Sequence, residues 1–239
     1  MVGNSVVVAG ATGATGRELM GRLLADERLH RIHLLTRSMT PWCDNPKVIE
    51  HHWAPVPAPS GQKVTLKRIE LPASLERLAL DEPVTALFCC LGTTLAQAGS
   101  KAAFRALDLD AVVALGQWAK KHGVGTMHVI SSKGANPQRR AFYLRCKGEM
   151  ERALMDLELP SLYLYRPSLL ARPQPRFGEH LGERILNLLT CLPGSAHWRP
   201  VPVARLAAVM VERAREAKAG VHCIESGQLW DEKGSGAAE

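Results

Sequence analysis

Ser5-Val6-Val7-Val8-Ala9 runs without a break into Gly10-Ala11-Thr12-Gly13-Ala14-Thr15-Gly16, and few folds accept that pairing. A β-branched run with no polar alternation suits a central strand buried on both faces of a parallel sheet. Residues 17–25 then place Leu19, Met20, Leu23 and Leu24 on one helical stripe, and Ile32 to Thr36 is a second strand candidate. Strand, glycine turn, helix and strand in this order form a βαβ unit. Gly10 lets the chain turn sharply off the strand, Gly13 lets backbone approach a pyrophosphate, and Gly16 lets the helix pack closely on the sheet. The helix N-terminus then offers free N–H groups and a positive dipole to phosphates. A glycine triplet alone could be an ordinary βα turn. Its place between a buried strand and a helix gives it meaning as a dinucleotide fingerprint.

The same alternation continues along the chain. Residues 38–62 are rich in Pro, Trp, His and Gly and read as an irregular excursion, because Pro55, Pro57 and Pro59 cannot lie in a central strand. A third strand is expected over 63–71 and a short helix over 73–80. Residues 84–91 form a buried strand ending in Gly92-Thr93-Thr94. An amphipathic helix over 100–121 is stopped by Gly123 and Gly125. Residues 126–130 are a strand ending at Ser131-Ser132, followed by a helix over 140–157 and a strand over 161–165 closed by Arg166-Pro167. Further helices are expected over 178–190 and 205–218, and a last strand over 221–225. The pattern predicts an α/β class, a Rossmann-like doubly wound parallel sheet with a short C-terminal substrate-side region. One domain is expected over residues 1–232, with a substrate-side segment at 171–200 and a frayed tail at 233–239.

Composition narrows the partners. The formal net charge is +7, but the basic residues fall in pairs such as Lys120-Lys121 and Arg139-Arg140, and aromatics are only 5%. That is too scattered and too poor in stacking groups for a nucleic-acid partner. The six cysteines form no CxxC pair, and Cys89 and Cys90 read as small core residues. The histidines do not cluster, His51-His52 being adjacent loop residues whose side chains diverge, and no metal site is read. No apolar stretch approaches the roughly 20 residues that span a bilayer, so no membrane association is expected. No secretory signal precedes the first strand, and the default expectation is a cytoplasmic protein.

The ends of the strands carry the chemistry. Thr36-Arg37-Ser38 closes the second strand without the acid that would bind an NAD ribose. Arg37 can instead pair with a 2′-phosphate, which favours NADP(H) over NAD(H), and Arg17 could assist. Tyr143 and Lys147 lie one helical turn apart and share a face. A phenol with an ordinary pKa of about 10 needs a neighbouring cation to work as an acid or base near neutrality. Ser131 and Ser132 sit at the carboxyl end of the fifth strand, where a hydroxyl can bind a substrate carbonyl. Gly92, Thr93 and Thr94 occupy the same edge, and Pro167 should lie near the nicotinamide. Asp108, with Lys101 and Asp110 around it, reads as a solvated charge in preference to a buried group tying its helix to the fifth strand.

Together Gly10 to Gly16, Ser132, Tyr143 and Lys147 resemble the short-chain dehydrogenase/reductase superfamily, in its atypical or extended branch. The segments Cys89-Cys90-Leu91-Gly92-Thr93-Thr94, Ala98-Gly99-Ser100-Lys101, Ser131-Ser132-Lys133-Gly134-Ala135 and Tyr143 to Glu149 resemble the Tat-interacting oxidoreductase-like proteins. The resemblance implies cofactor contacts from Gly10, Thr12, Gly13, Thr15, Gly16, Arg37, Leu91 and Gly92. It also implies an acid-base role for Tyr143, a partner and ribose ligand in Lys147, and a substrate anchor in Ser132, the second serine of the strand end. Asp108 stands where such proteins usually carry asparagine, and the serine-to-tyrosine interval is short. The expected function is NADP(H)-linked hydride transfer to or from a small carbonyl or alcohol. The alternative is an NADP(H)-sensing regulatory or scaffold protein. A small-molecule substrate and a monomer or homodimer are expected.

Overall fold

β1 (Asn4–Ala9) is buried on both faces: Val7 and Val8 point to opposite sides and neither is accessible. That is the burial its unbroken apolar run demands. The computed structural model describes residues 4–52, 75–76, 78–171 and 199–231. After β1 come α1 (Ala14–Leu24), β2 (Leu29–Thr36), β3 (Val48–His52) and β4 (Val84–Cys89). A short α2 (Leu95–Ala98) and α3 (Lys101–Arg105) lead through a π-helical turn (Ala106–Asp110) into α4 (Ala111–Lys121). β5 (Thr126–Ile130), α5 (Phe142–Met155) and β6 (Ser161–Arg166) follow. The described chain continues with β7 (Leu170–Ala171), β8 (Val201–Pro202), α6 (Val203–Glu216), β9 (Gly220–Glu225) and α7 (Gln228–Asp231).

Among the described residues, seven strands pair in the order β3-β2-β1-β4-β5-β6-β9, every pair parallel. The chain therefore winds outward from β1 in one direction, returns to its other side at β4, and winds outward again. α1 and α6 cover one face through Leu19, Met20, Leu206 and Met210. α4 and α5 cover the other through Leu115, Trp118, Met150 and Leu154. This is the doubly wound α/β fold, and the reversal between β1 and β4 opens a crevice at their carboxyl ends.

A row of rings crosses the first of these faces. Register pairs Phe88 with His128, His128 with Tyr163, and Tyr163 with His222. Their rings stack at 4.9, 4.9 and 4.6 Å. His128 is fully buried, so burial pulls its pKa down to about 3 and it is held neutral. Its Nδ1 meets the Tyr165 hydroxyl at 2.9 Å and its Nε2 meets Thr126 Oγ1 at 3.2 Å.

Several expectations need correction. The third described strand is Val48–His52, inside the segment expected to be irregular; the proline alternation behind that expectation begins only after it. The strand expected over 63–71 and the helix over 178–190 lie outside the described residues, as do residues 73, 74 and 77 of the helix expected over 73–80, most of 171–200 and the tail beyond 231. The histidines do meet. Parallel pairing of β2 with β3 puts His33 and His51 on one face, with Nδ1 of His33 2.9 Å from Nε2 of His51. Nε2 of His33 is 2.9 Å from the Glu82 carboxylate. Helix 100–121 is interrupted by the π-helical turn, and Asp108 within that turn is buried.

Candidate active site

The glycine turn behaves as its residues require. Gly10 has φ +84°, and a Cβ there would lie 2.7 Å from the Cys90 carbonyl. At Gly16 a Cβ would stand 2.2 Å from the Gly10 oxygen. Neither position can carry a side chain without moving backbone. The Gly13 N–H donates to the Gly10 oxygen at 3.1 Å, which tightens the turn. Gly13 is also the N-cap of α1 and supplies no side-chain cap. The first-turn N–H groups of α1 thus open toward the crevice with the positive end of the helix dipole.

One cavity of about 370 Å³ collects the residues singled out above. Gly13, Ala14 and Thr15 line it from α1, and Leu91 to Thr94 from the loop after β4. Ser131 and Ser132 line it from the end of β5, Tyr143 and Lys147 from α5, and Pro167 from the end of β6. Gly10, Thr12 and Gly16 shape the turn behind this wall. Arg37 is exposed directly after β2 and stands outside the lining. The adjoining turn is fixed by Thr36, whose hydroxyl donates to the Ser38 carbonyl at 2.7 Å. Arg17 is tied to the turn by its Nε, which donates to the Thr12 carbonyl at 3.0 Å.

The strand ends are braced against one another. The Cys90 N–H donates to the Ala9 carbonyl at 2.8 Å, and the Ser131 N–H to the Tyr165 carbonyl at 2.7 Å. Beneath Pro167, Arg166 grips Glu151 of α5 through Nε at 2.9 Å and Nη2 at 2.6 Å, and Glu225 of β9 through Nη1 at 2.9 Å. A planar guanidinium holding two carboxylates fixes α5 to two strand ends.

Tyr143 sits at the cavity mouth, 36% exposed, with its ring edge-on to Phe104 at 5.7 Å. Lys147 lies a turn deeper and is buried. Its Nζ stands 2.8 Å from Asp108 Oδ1 and donates to the Ile130 carbonyl at 3.3 Å. Burial opposes the Lys147 charge, but Asp108, Tyr143 and Cys89 around it prevail, so its pKa is raised. Asp108 Oδ2 accepts the Thr93 N–H at 2.9 Å. Asp108 is therefore no solvated charge; the reading that tied its helix to the end of β5 holds, through Lys147. Its spacing contains the signal. Phe104, Asp108, Val112 and Leu115 fall on one helical stripe, whose other members are core.

Ser131 Oγ is buried with no hydrogen-bond partner and belongs to a residue lining the cavity. Ser132 Oγ makes only a long contact, donating to the Lys133 carbonyl at 3.5 Å. Neither hydroxyl is therefore committed to a short hydrogen bond among the described residues. The thiols are not candidates for nucleophilic chemistry: burial pushes Cys89 up to about 11 and raises Cys90 as well. The bare glycine cradle, the free end of α1 and the unpartnered Ser131 hydroxyl fit a dinucleotide across the β1–β4 crevice.

The fold defines the class of the protein: a Rossmann-like α/β protein with a parallel central sheet flanked by helices. Within it, the chain is a homologue of the FMP52 and HTATIP2 proteins. It is 29% identical over 192 residues to mitochondrial FMP52 of Coccidioides immitis, covering 80% of this chain and 74% of that one. To HTATIP2 of Rattus norvegicus it is 28% identical over 209 residues, covering 84% and 78%. No protein-family model matches the chain. Among solved structures it is similar to the Bordetella bronchiseptica enzyme WbmH in complex with NAD+. The TM-score is 0.65 at 16% identity, over 94% of this chain and 76% of that one. It is also similar to a dTDP-4-dehydrorhamnose reductase of Bacillus anthracis in complex with NADP. There the TM-score is 0.58 at 12% identity, over 94% and 75%. The cytoplasmic expectation does not stand: the FMP52 relatives are named mitochondrial.

Proposed function

We propose that the protein binds NADP(H) in this crevice and catalyses hydride transfer to or from a small carbonyl or alcohol. The observation that carries the reading is the shared cavity. It sets the uncapped start of α1, the β4 loop, both strand-end serines, Tyr143 and Lys147 around one space. The bound nucleotide would supply or accept the hydride. Gly13, Ala14 and Thr15 would hold its pyrophosphate, and Leu91, Gly92 and Thr93 its ribose side. Lys147 would bind the nicotinamide ribose with its ammonium. Tyr143 would pass a proton to the substrate oxygen, Ser132 would hold that oxygen, and Pro167 would border the nicotinamide. Arg37 would face the 2′-phosphate, the feature that would separate NADP(H) from NAD(H). The FMP52 relatives support a mitochondrial location for this chain as well.

The test is a fluorescence titration with NADPH and NADH. Tighter binding of NADPH, reduced to parity by Arg37→Ser, supports the assignment. Equal binding in the unaltered protein removes the role of Arg37, and no binding of either nucleotide removes the function.

A further inference from the structure

The chain between Ser132 and Tyr143 joins two residues of the candidate site, and it brings positive charge to the cavity mouth. Residues 133–141 carry Lys133, Arg139 and Arg140 and no acid. The segment is fixed at both ends. The Lys133 N–H donates to the Pro167 carbonyl at 2.9 Å, the Ala135 N–H to the Ser132 carbonyl at 3.1 Å, and the Asn136 N–H to the Leu144 carbonyl at 3.1 Å. Its backbone lies directly on α5 at Gly148, where a Cβ would stand 2.2 Å from the Asn136 carbonyl carbon. Arg145 Nη1 of α5 donates to the Arg139 and Arg140 carbonyls at 3.3 and 3.4 Å, so one guanidinium holds the backbone that presents two more. Phe142 extends this rim. It meets Phe104, the ring that also meets Tyr143 at the mouth. The Lys101 ammonium stands 5.4 Å from the centre of the Phe142 ring, and Arg145 Cζ 5.9 Å. Lys101, Arg139 and Arg140 are exposed, and among the described residues none of them has a carboxylate partner. The acids nearby are already engaged: Glu149 is held by Arg105 and Arg145, and Asp110 acts on Arg105. Inside the cavity the charged lining is Asp108 and Lys147, matched to each other at 2.8 Å. The remaining wall there is hydroxyls and apolar groups such as Leu95, Leu169 and Leu170. Uncompensated positive charge therefore gathers at the mouth and not in the depth of the site.

We propose that the carbonyl substrate carries an anionic oxygen group, a carboxylate or a phosphate, which the Arg139–Arg140 rim holds at the mouth while the carbonyl enters between Ser132 and Tyr143. The proposal rests on the hydride-transfer reading and names the substrate class for it. The reduction itself is unchanged: a hydride from the nucleotide and a proton from Tyr143 turn the carbonyl into an alcohol, and the rim takes no part in that step. Its task is selection. A planar guanidinium matches a carboxylate or phosphate with two parallel N–H donors. Like charges gathered at the mouth of a low-dielectric cleft also draw anions toward it. The rim does not compete with Arg37 for the nucleotide, because β1 and β4 lie between β2 and β5 in the sheet.

The experiment follows NADPH oxidation with two matched pairs of aldehydes: succinic semialdehyde against butanal, and glyceraldehyde phosphate against glyceraldehyde. It compares the unaltered protein, the double variant Arg139→Gln with Arg140→Gln, and Arg152→Gln, an exposed arginine near the far end of α5 that pairs with Asp156. At low salt the anionic member of at least one pair should have a kcat/KM higher by about fivefold or more. The pair that shows it tells carboxylate from phosphate. The double variant should remove the preference by lowering the anionic substrate alone, with NADPH affinity unchanged, and Arg152→Gln should keep it. In the unaltered protein, salt at about 0.5 M should erode the same preference without any substitution. No preference in either pair, a preference that survives the double variant or the salt, or a loss of NADPH affinity in the double variant overturns the proposal. If NADPH binds but none of these aldehydes is reduced, calorimetry on the NADP+-loaded protein decides. Hexanoate or hexyl phosphate must then bind more tightly than hexanol, and the double variant must abolish the difference; otherwise the proposal is overturned. If the protein binds neither NADPH nor NADP+, the hydride-transfer reading falls and this proposal with it. Nucleotide binding without any preference for anions removes the rim alone.

Discussion

At the residue scale, the phenol of Tyr143 and the backbone of Gly16 separate chemistry from binding. Tyr143→Phe keeps the ring against Phe104 and deletes only the hydroxyl. Carbonyl reduction by this variant, assayed as NADPH oxidation, should fall by about 10²–10⁴ while NADPH affinity stays unchanged. A variant with intact turnover would move the protein toward the sensing alternative. Gly16→Ala tests the opposite wall. Its methyl group would press on the Gly10 oxygen, the atom that closes the turn, so nucleotide affinity should drop together with the melting temperature. The charge of Lys147 belongs to the same scale: it is sustained by Asp108, fifteen residues from Thr93 in sequence, which helical periodicity places on the core stripe but does not pair with Lys147.

At the element scale, the run from α3 through the π-helical turn to α4 is the scaffold for both walls of the site. Phe104 of α3 is inaccessible and meets Phe142 and Tyr143 edge-on at 5.8 and 5.7 Å. Phe104→Ala should therefore cost about 3–5 kcal/mol in chemical denaturation, the usual price of a large core cavity. It should also loosen Tyr143 at the cavity mouth. Much of this scaffold is legible from pattern. Ser100, Gly123 and the apolar stripe mark the two ends of the helix, and Ser100 Oγ accepts the Ala103 N–H at 3.1 Å as an N-cap should. The interruption is not legible in the local pattern, and both partners of the Asp108 carboxylate within it lie on other elements.

At the scale of the whole molecule, stability should depend on protonation of buried imidazoles. His128, His33 and His51 all have pKa values lowered by burial in the fold, His128 to about 3. The unfolded chain thus binds more protons once pH drops through about 6.5, and folding stability falls with it. His128 alone should contribute a slope of about 1.4 kcal/mol per pH unit near pH 5. The carboxylates Glu50 and Glu82, whose pKa values are lowered, add their own loss only at more acid pH, below the ordinary carboxylate range. Denaturation midpoints measured from neutrality down to about pH 5 check this; a flat profile would mean that these rings are not held neutral.

The βαβ start, the alternation of strands with helices, the strand-end serines and the Tyr143–Lys147 face were readable because each is a local pattern. A β-branched run, a glycine turn and a spacing of four residues act over a single element, and the chain has few ways to satisfy them. The position of β3, the meeting of His33 with His51 and the burial of Asp108 were not readable in this way. Each depends on which strand pairs with which, in what register, and that choice is made by distant apolar surfaces seeking burial together. The proline-rich segment masked the short apolar run before it, and the charged neighbours of Asp108 masked its place on a core stripe. A carboxylate becomes an asset inside the protein only when the fold brings Lys147 and Thr93 to its two oxygens, and no local stretch of sequence contains both.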